Sequence, residues 1–159
     1  MTGSAAPGMP DTQVDWSKGI PLMAGSYFVG LYQPSPETVG FWQGVSDDEL
    51  HIKHCAACDK VWHPKRIVCT DCGSTDLGWR QAAGTGEVYS FSEVHRAPTP
   101  AFASSVPYAL GLVRLDEGVH LFTRFFAEPG TLAIGARARV EFRVLELGQK
   151  MPVFVVDGQ

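Results

Sequence analysis

All four cysteines of this 159-residue chain fall in two Cys-x-x-Cys pairs, Cys55 with Cys58 and Cys69 with Cys72, with ten residues between the pairs. Two residues between thiolates let a tight turn aim both sulfurs at one ion. A second such turn, brought alongside by a short hairpin, completes a tetrahedral set. Four thiolates with no open position are the donor set of structural rather than catalytic zinc. The competing chemistries are two disulfides or a redox dithiol. Disulfides need an oxidising compartment, and a redox Cys-x-x-Cys normally stands singly beside a strand–helix unit. Gly73, directly after the last cysteine, suits the left-handed turn of a metal knuckle. His54 and His63 lie close enough to replace one cysteine. Four sulfurs already satisfy the ion, so both histidines are expected at the surface or around the site.

Other reactive patterns are missing from the sequence. There is no Gly-x-Ser-x-Gly elbow, no Walker sequence and no Gly-x-Gly-x-x-Gly loop. Gly84-Thr85-Gly86 precedes a strand rather than a helix, so it is no dinucleotide cradle. No cysteine remains to act as a nucleophile. His95 and His120 fall on expected strands and read as hydrogen-bonded structural residues; Glu93 and His95 form a pair with no nucleophile beside it. No catalytic residue is therefore expected.

The elements that hold the cysteines divide the chain into four parts. Residues 1–34 read as a tail rich in Gly, Pro and Ser followed by an apolar docking segment, Ile20 to Tyr32. Residues 35–49 read as a helix and its exit turn, with Ser35 as cap, Pro36 at the first position and Glu37 in the first turn. This helix carries Phe41 and Trp42 and ends near Gly44. Residues 50–80 form the metal ribbon, in which Trp62 and Val68 are expected to cover the metal while Lys60, Lys65 and Arg66 face outward. Residues 81–159 contain five β-rich runs: Glu87 to His95, Pro107 to Leu115, Val119 to Phe126, Ala138 to Leu145 and Met151 to Val156. Turn signals between them point to a mainly β fold, a small barrel or sandwich. Gly84 and Gly86 would permit a bulge that lets the first strand curl. Ala97 to Val106, a proline-set loop whose one aromatic, Phe102, is expected to be exposed, is long enough to carry function.

A net charge of -4 argues against a broad nucleic-acid or anionic-membrane surface. The net negative charge is concentrated in residues 1–50, where six acids face the single base Lys18, so a local anion site in the remainder stays open. The charge-free stretches Gly19 to Pro36 and Ala97 to Val113 are both broken by Pro and Gly, so neither should span a bilayer. No secretory signal is visible, which makes a cytoplasmic location the default.

The order Phe41-Trp42, four-cysteine ribbon, Gly84-Thr85-Gly86-Glu87-Val88-Tyr89-Ser90, His95-Arg96, Val106-Pro107-Tyr108 and Leu115-Asp116-Glu117-Gly118 resembles an acyl-CoA-associated family. Its members join a rubredoxin-like zinc ribbon to an OB-fold, and the family was long catalogued as a domain of unknown function. The resemblance covers about residues 35 to 156. It departs from the family habit at Thr70, where proline often follows the third cysteine, and in the apolar lead before Ser35. It implies an N-terminal helix, a four-cysteine ribbon and a five-stranded OB barrel. It further implies a non-catalytic accessory subunit held against a thiolase-fold enzyme: a thiolase, sterol side-chain aldolase, acyltransferase or hydroxymethylglutaryl-CoA synthase-like protein, with some relatives joining a hydratase. Cys55, Cys58, Cys69 and Cys72 then hold structural zinc. For acyl-CoA the available contacts are Arg96 and Phe102 on the substrate- or partner-facing side, with Lys65 or Arg66 near phosphate. The alternative from another class is a nucleic-acid-binding ribbon/OB module, which overall acidity and sparse lysine disfavour.

Overall fold

A computed structural model describes residues 35–128, 130–146 and 149–156. The expected apolar docking segment therefore lies outside the described residues. Helix α1 runs Val39–Ser46, with Thr38 rather than Ser35 at its cap position and no acid in its first turn. The reason is local. Ser35 and Thr38 bond to each other, the Ser35 N–H donating to Thr38 Oγ1 at 2.9 Å, and Thr38 is buried. Residues 36–38 are thus held in a turn, and the helix begins only after it. It also runs two residues past Gly44. That glycine sits inside the helix, where a Cβ would come within 2.7 Å of the Glu49 carbonyl and 2.8 Å of the His51 ring.

The ribbon sheet has the order β2-β1-β3, with β1 His51–Cys55, β2 Val61–Trp62 and β3 Leu77–Gln81. Lys53 in the centre faces Trp62 on one side and Trp79 on the other. Its ammonium lies 3.7 Å from the centroid of the Trp79 ring, so the aliphatic stem is buried while the charge keeps a π-face as partner.

The five remaining strands close a barrel in the order β4-β5-β6-β8-β7. They are β4 Thr85–Val94, β5 Tyr108–Leu115, β6 His120–Phe126, β7 Arg137–Val144 and β8 Lys150–Val156. This is the five-strand OB barrel, not a sandwich. β4 bridges both halves: Gly86 and Glu87 pair with β7 while Gly86 to Val94 pair with β5. The break in register comes between Val88 and Ser90, not at the entry glycines. Gly86 serves close approach instead, since a Cβ there would lie 2.4 Å from the Arg114 carbonyl oxygen. The His95 expected in β4 lies just past its end, although it does reach Glu93 at 3.2 Å.

Ribbon and barrel share one core. Leu50 and the β1 residue Ile52 pack in the same buried cluster as Val88, Val113, Leu121, Phe125 and Phe154. The Ala82 N–H donates to the Leu50 carbonyl at 2.7 Å, carrying the chain from ribbon to barrel without leaving a polar backbone group unmet.

Candidate metal centre and barrel cleft

Cys55 ends β1, Cys58 follows in the turn, and Cys69 and Cys72 sit on the second turn before β3. Their four sulfurs lie within 4.8 Å of one another, with Cys55 to Cys72 at 3.6 Å and Cys58 to Cys69 at 3.5 Å. Thiolates on a tetrahedral zinc ion, each about 2.3 Å from the metal, stand roughly 3.8 Å apart. The donor set and its spacing therefore fit a four-coordinate closed site.

The two knuckles are built alike. The Asp59 N–H donates to the Cys55 carbonyl at 2.9 Å, and the Gly73 N–H to the Cys69 carbonyl at 2.9 Å. Both residues take left-handed backbone, with φ of 61° and 75°. Asp59 was missed in the sequence, although the signal was available: it holds the same place after Cys58 that Gly73 holds after Cys72. An aspartate tolerates this conformation better than most residues. Its carboxylate is also anchored, at 2.7 Å from His54 Nε2 and accepting from Arg80 at 2.6 Å. These hydrogen bonds, led by the one from His54, hold Asp59 below the usual carboxylate range.

Backbone N–H groups point at the sulfurs. The Lys60 N–H pulls the Cys58 thiol down, but burial and the neighbouring sulfurs push it up to about 12. Burial pushes Cys69 up, yet the N–H groups of Cys72 and Asp71 and the adjacent thiols bring it down to about 6. Four thiols packed this closely cannot all ionise without a cation among them. Lys60 and Asp71 join the two knuckles through a 2.6 Å ion pair. Neither histidine enters the sulfur cluster: His54 is turned to Asp59, and His63 Nδ1 accepts from the Lys65 N–H at 3.2 Å. The two residues expected to cover the metal differ in exposure. Trp62 is half-buried, whereas Val68 is exposed, as is Ile67 beside it.

The four residues considered for acyl-CoA divide between two sheets. Lys65 and Arg66 are exposed on the β2–β3 connection, with the Arg66 guanidinium 5.5 Å from the Trp62 ring. Arg96 is exposed on the β4–β5 connection. Phe102 ends a 3-10 turn, Pro100–Phe102, and is half-buried rather than exposed, its ring 6.0 Å from that of Tyr108.

A cluster that the sequence reading did not name lies beside Phe102. Arg124 of β6 stacks over Tyr108 at 4.5 Å and Phe126 at 5.0 Å, and Arg143 covers Phe126 at 4.2 Å. Arg124 pairs with Glu146, and both side chains are almost buried. Burial pushes Glu146 up, but hydrogen bonds from Arg124 and Ser105 overcome it and hold the carboxyl below its ordinary range. Arg124 and Tyr108, with Phe126, Leu132, Glu93 and Glu128, line a cleft of about 370 Å³ at this end of the barrel. The signal in sequence was slight: one arginine at an outward position of the apolar run His120–Phe126.

Comparison with known proteins places these features. Residues 42–78 match the family model described as "ChsH2, rubredoxin-like zinc ribbon domain", and residues 79–143 match "ChsH2, C-terminal OB-fold domain". A solved structure titled "Ltp2-ChsH2(DUF35) aldolase" contains a similar chain at 33% identity and a TM-score of 0.69, covering 78% of this chain and 98% of that one. A probable enoyl-CoA hydratase alpha subunit from Thermomonospora curvata is 37% identical over 116 residues; the match takes in 72% of this chain but only 36% of that subunit. A DUF35 domain-containing scaffold protein from Methanothermobacter thermautotrophicus is 29% identical, over 67% of this chain and 82% of its own length. The chain thus spans about a third of the length of the hydratase subunit it matches. Among the described residues no helix is long and apolar enough to cross a membrane.

Proposed function

Because the chain belongs to the ChsH2 zinc-ribbon and OB-fold family, also called DUF35, we propose that it is an accessory subunit of an acyl-CoA-processing complex rather than the catalytic chain. One observation carries the reading most: the likeness to the ChsH2 chain of an aldolase extends over 98% of that chain. The four cysteines, packed sulfur to sulfur, suit a structural ion and leave no thiol for nucleophilic chemistry. When bound, zinc supplies a dication that neutralises the packed thiolates. The chain's own residues do the rest: Asp59 and Gly73 shape the knuckles, Lys60 and Asp71 join them, and Ile52 seats the ribbon on the barrel.

In the finer reading, the catalytic partner is a thiolase-fold enzyme that makes or breaks a carbon–carbon bond, and the complex works in the cytoplasm. The match to the hydratase subunit spans about a third of that protein, so the aldolase-like pairing is favoured. Cys55, Cys58, Cys69 and Cys72 hold one structural zinc ion. Arg96 and Phe102 line the surface that faces the CoA ligand or the partner, and Lys65 or Arg66 lies near phosphate. The test is affinity purification of the tagged chain from its host, followed by identification of the retained protein and assay of CoA thioester turnover. A retained thiolase-fold enzyme, with turnover by the complex and none by the isolated chain, supports the reading. Enzymatic turnover by the isolated chain would end it. In the complex, replacing Arg96 and Lys65 together by alanine should raise the KM for acyl-CoA by about tenfold with kcat little changed, the pattern of lost uniform binding.

A further inference from the structure

We propose that the cleft between the β4–β5 connection and the end of β6 receives the uncharged arm of a CoA thioester, the pantetheine amides and the thioester end, and not its phosphates. This rests on the acyl-CoA reading above and deepens it by assigning a part of the ligand to a place. Three observations support it.

The first is charge. Arg124 points its cation at Glu146 and at two aromatic rings, so its charge is already answered within the wall. Among the described residues the other charged side chains lining the cleft are Glu93 and Glu128, both carboxylates. A phosphate placed there would meet two like charges; a neutral chain meets none. The second is shape and lining. About 370 Å³ falls in the range of small-ligand sites, and Pro107, Tyr108, Phe126 and Leu132 supply apolar walls for a methylene-rich chain. The third is rigidity. Glu146 is held from β6 by Arg124 and from the β4–β5 connection by Ser105, so two separate elements of the wall are tied to one carboxylate. Such a wall is set before a ligand arrives, which lowers the ordering cost of binding. Arg96 is exposed on the β4–β5 connection, two residues past the end of β4, and is the cation assigned above to the anionic end of the same molecule.

Isothermal titration of the zinc-loaded full chain with three probes separates the possibilities: butyryl-CoA, S-butyryl-pantetheine and adenosine bisphosphate. Ala127 lines the cleft and is solvent-exposed, so Ala127→Trp fills the space with little demand on the core. The expected result is a Kd about tenfold higher for both thioesters in Ala127→Trp, with adenosine bisphosphate unchanged. Butyryl-CoA binding that is undiminished in Ala127→Trp would overturn this assignment alone. So would weaker adenosine bisphosphate binding in Ala127→Trp, which would put phosphate in the cleft. Failure of butyryl-CoA and adenosine bisphosphate alike to bind the unmodified chain would overturn both this inference and the acyl-CoA reading beneath it.

Discussion

Residues 55–76 and the barrel are ordered by different means. Over those ribbon residues the only buried side chains are Cys55, Pro64 and Cys69, and Ile67 is exposed although apolar. The barrel instead closes around Val88, Val113, Phe125 and Phe154, each 4% exposed or less. A segment with so few buried apolar groups cannot offset its chain entropy by burial alone. Sulfur–metal bonds replace the missing core, and the barrel needs no such substitute. Between the two lies the ribbon root, Leu50 and Ile52, which belongs to the ribbon by strand pairing and to the barrel by packing. The difference teaches where each perturbation should stop: loss of metal at the root, and loss of core volume nowhere short of the whole fold.

The strongest way to break this contrast is Cys69→Ser. Cys69 is fully buried among the sulfurs, and structural zinc in small ribbons contributes on the order of 10 kcal/mol to folding of the metal-bound segment. Metal analysis should fall from one zinc ion per chain to well below it, while near-ultraviolet signals of the barrel aromatics persist. Ile52→Ala comes next. Deleting a fully buried isoleucine costs about 2–5 kcal/mol. Since Ile52 sits in both regions, urea unfolding followed by cobalt–thiolate absorbance and by fluorescence should shift together to lower midpoints. Gly40→Ala is smaller. Its Cβ would stand 2.3 Å from Trp79 Nε1, and relieving that contact should cost about 1–3 kcal/mol and alter tryptophan fluorescence.

The smallest effect concerns the barrel surface. Arg137 donates two hydrogen bonds to Asp116, at 2.7 and 2.8 Å, and Thr85 donates a third. These hold the Asp116 carboxyl well below the usual range, Arg137 first among the causes. A depressed folded-state pKa adds stability above the unfolded value, about 3.9, and loses it as pH falls toward the folded value. The urea midpoint of Asp116→Asn should therefore lie slightly below that of the parent at neutral pH, and the gap should close below about pH 4. A gap that widens in acid would contradict the assignment.

Much of the fold was legible because its signals are local. The β-rich runs announced themselves by composition and turn residues, and each observed strand begins and ends within two residues of its expected run. The cysteine spacing gave the metal cluster directly. The misses are cases in which one side chain's partner decides the outcome. Ser35 reads as a cap until Thr38 takes up its backbone N–H. Gly84 and Gly86 read as bulge residues, yet the register breaks next to Tyr89, where no glycine marks it. Phe102 reads as exposed because nothing nearby in sequence covers it; Tyr108, six residues on, lies against it. Arg124 was barely legible for the same reason, since Glu146 is distant along the chain and only barrel closure brings them together. That ribbon and barrel share a core was likewise beyond reach, because Leu50 and Ile52 look no different in sequence from strand residues serving the ribbon alone.

Hydrogen–deuterium exchange of the full chain before and after chelation tests the contrast between the two regions most directly. The expected result is that amides in residues 55–76 lose protection when the metal is withdrawn, while those of β4 to β8 keep theirs and the amides around Ile52 change least within the ribbon. Retention of protection throughout residues 55–76 in fully metal-free protein would contradict it, because the segment would then be held by something other than its sulfurs.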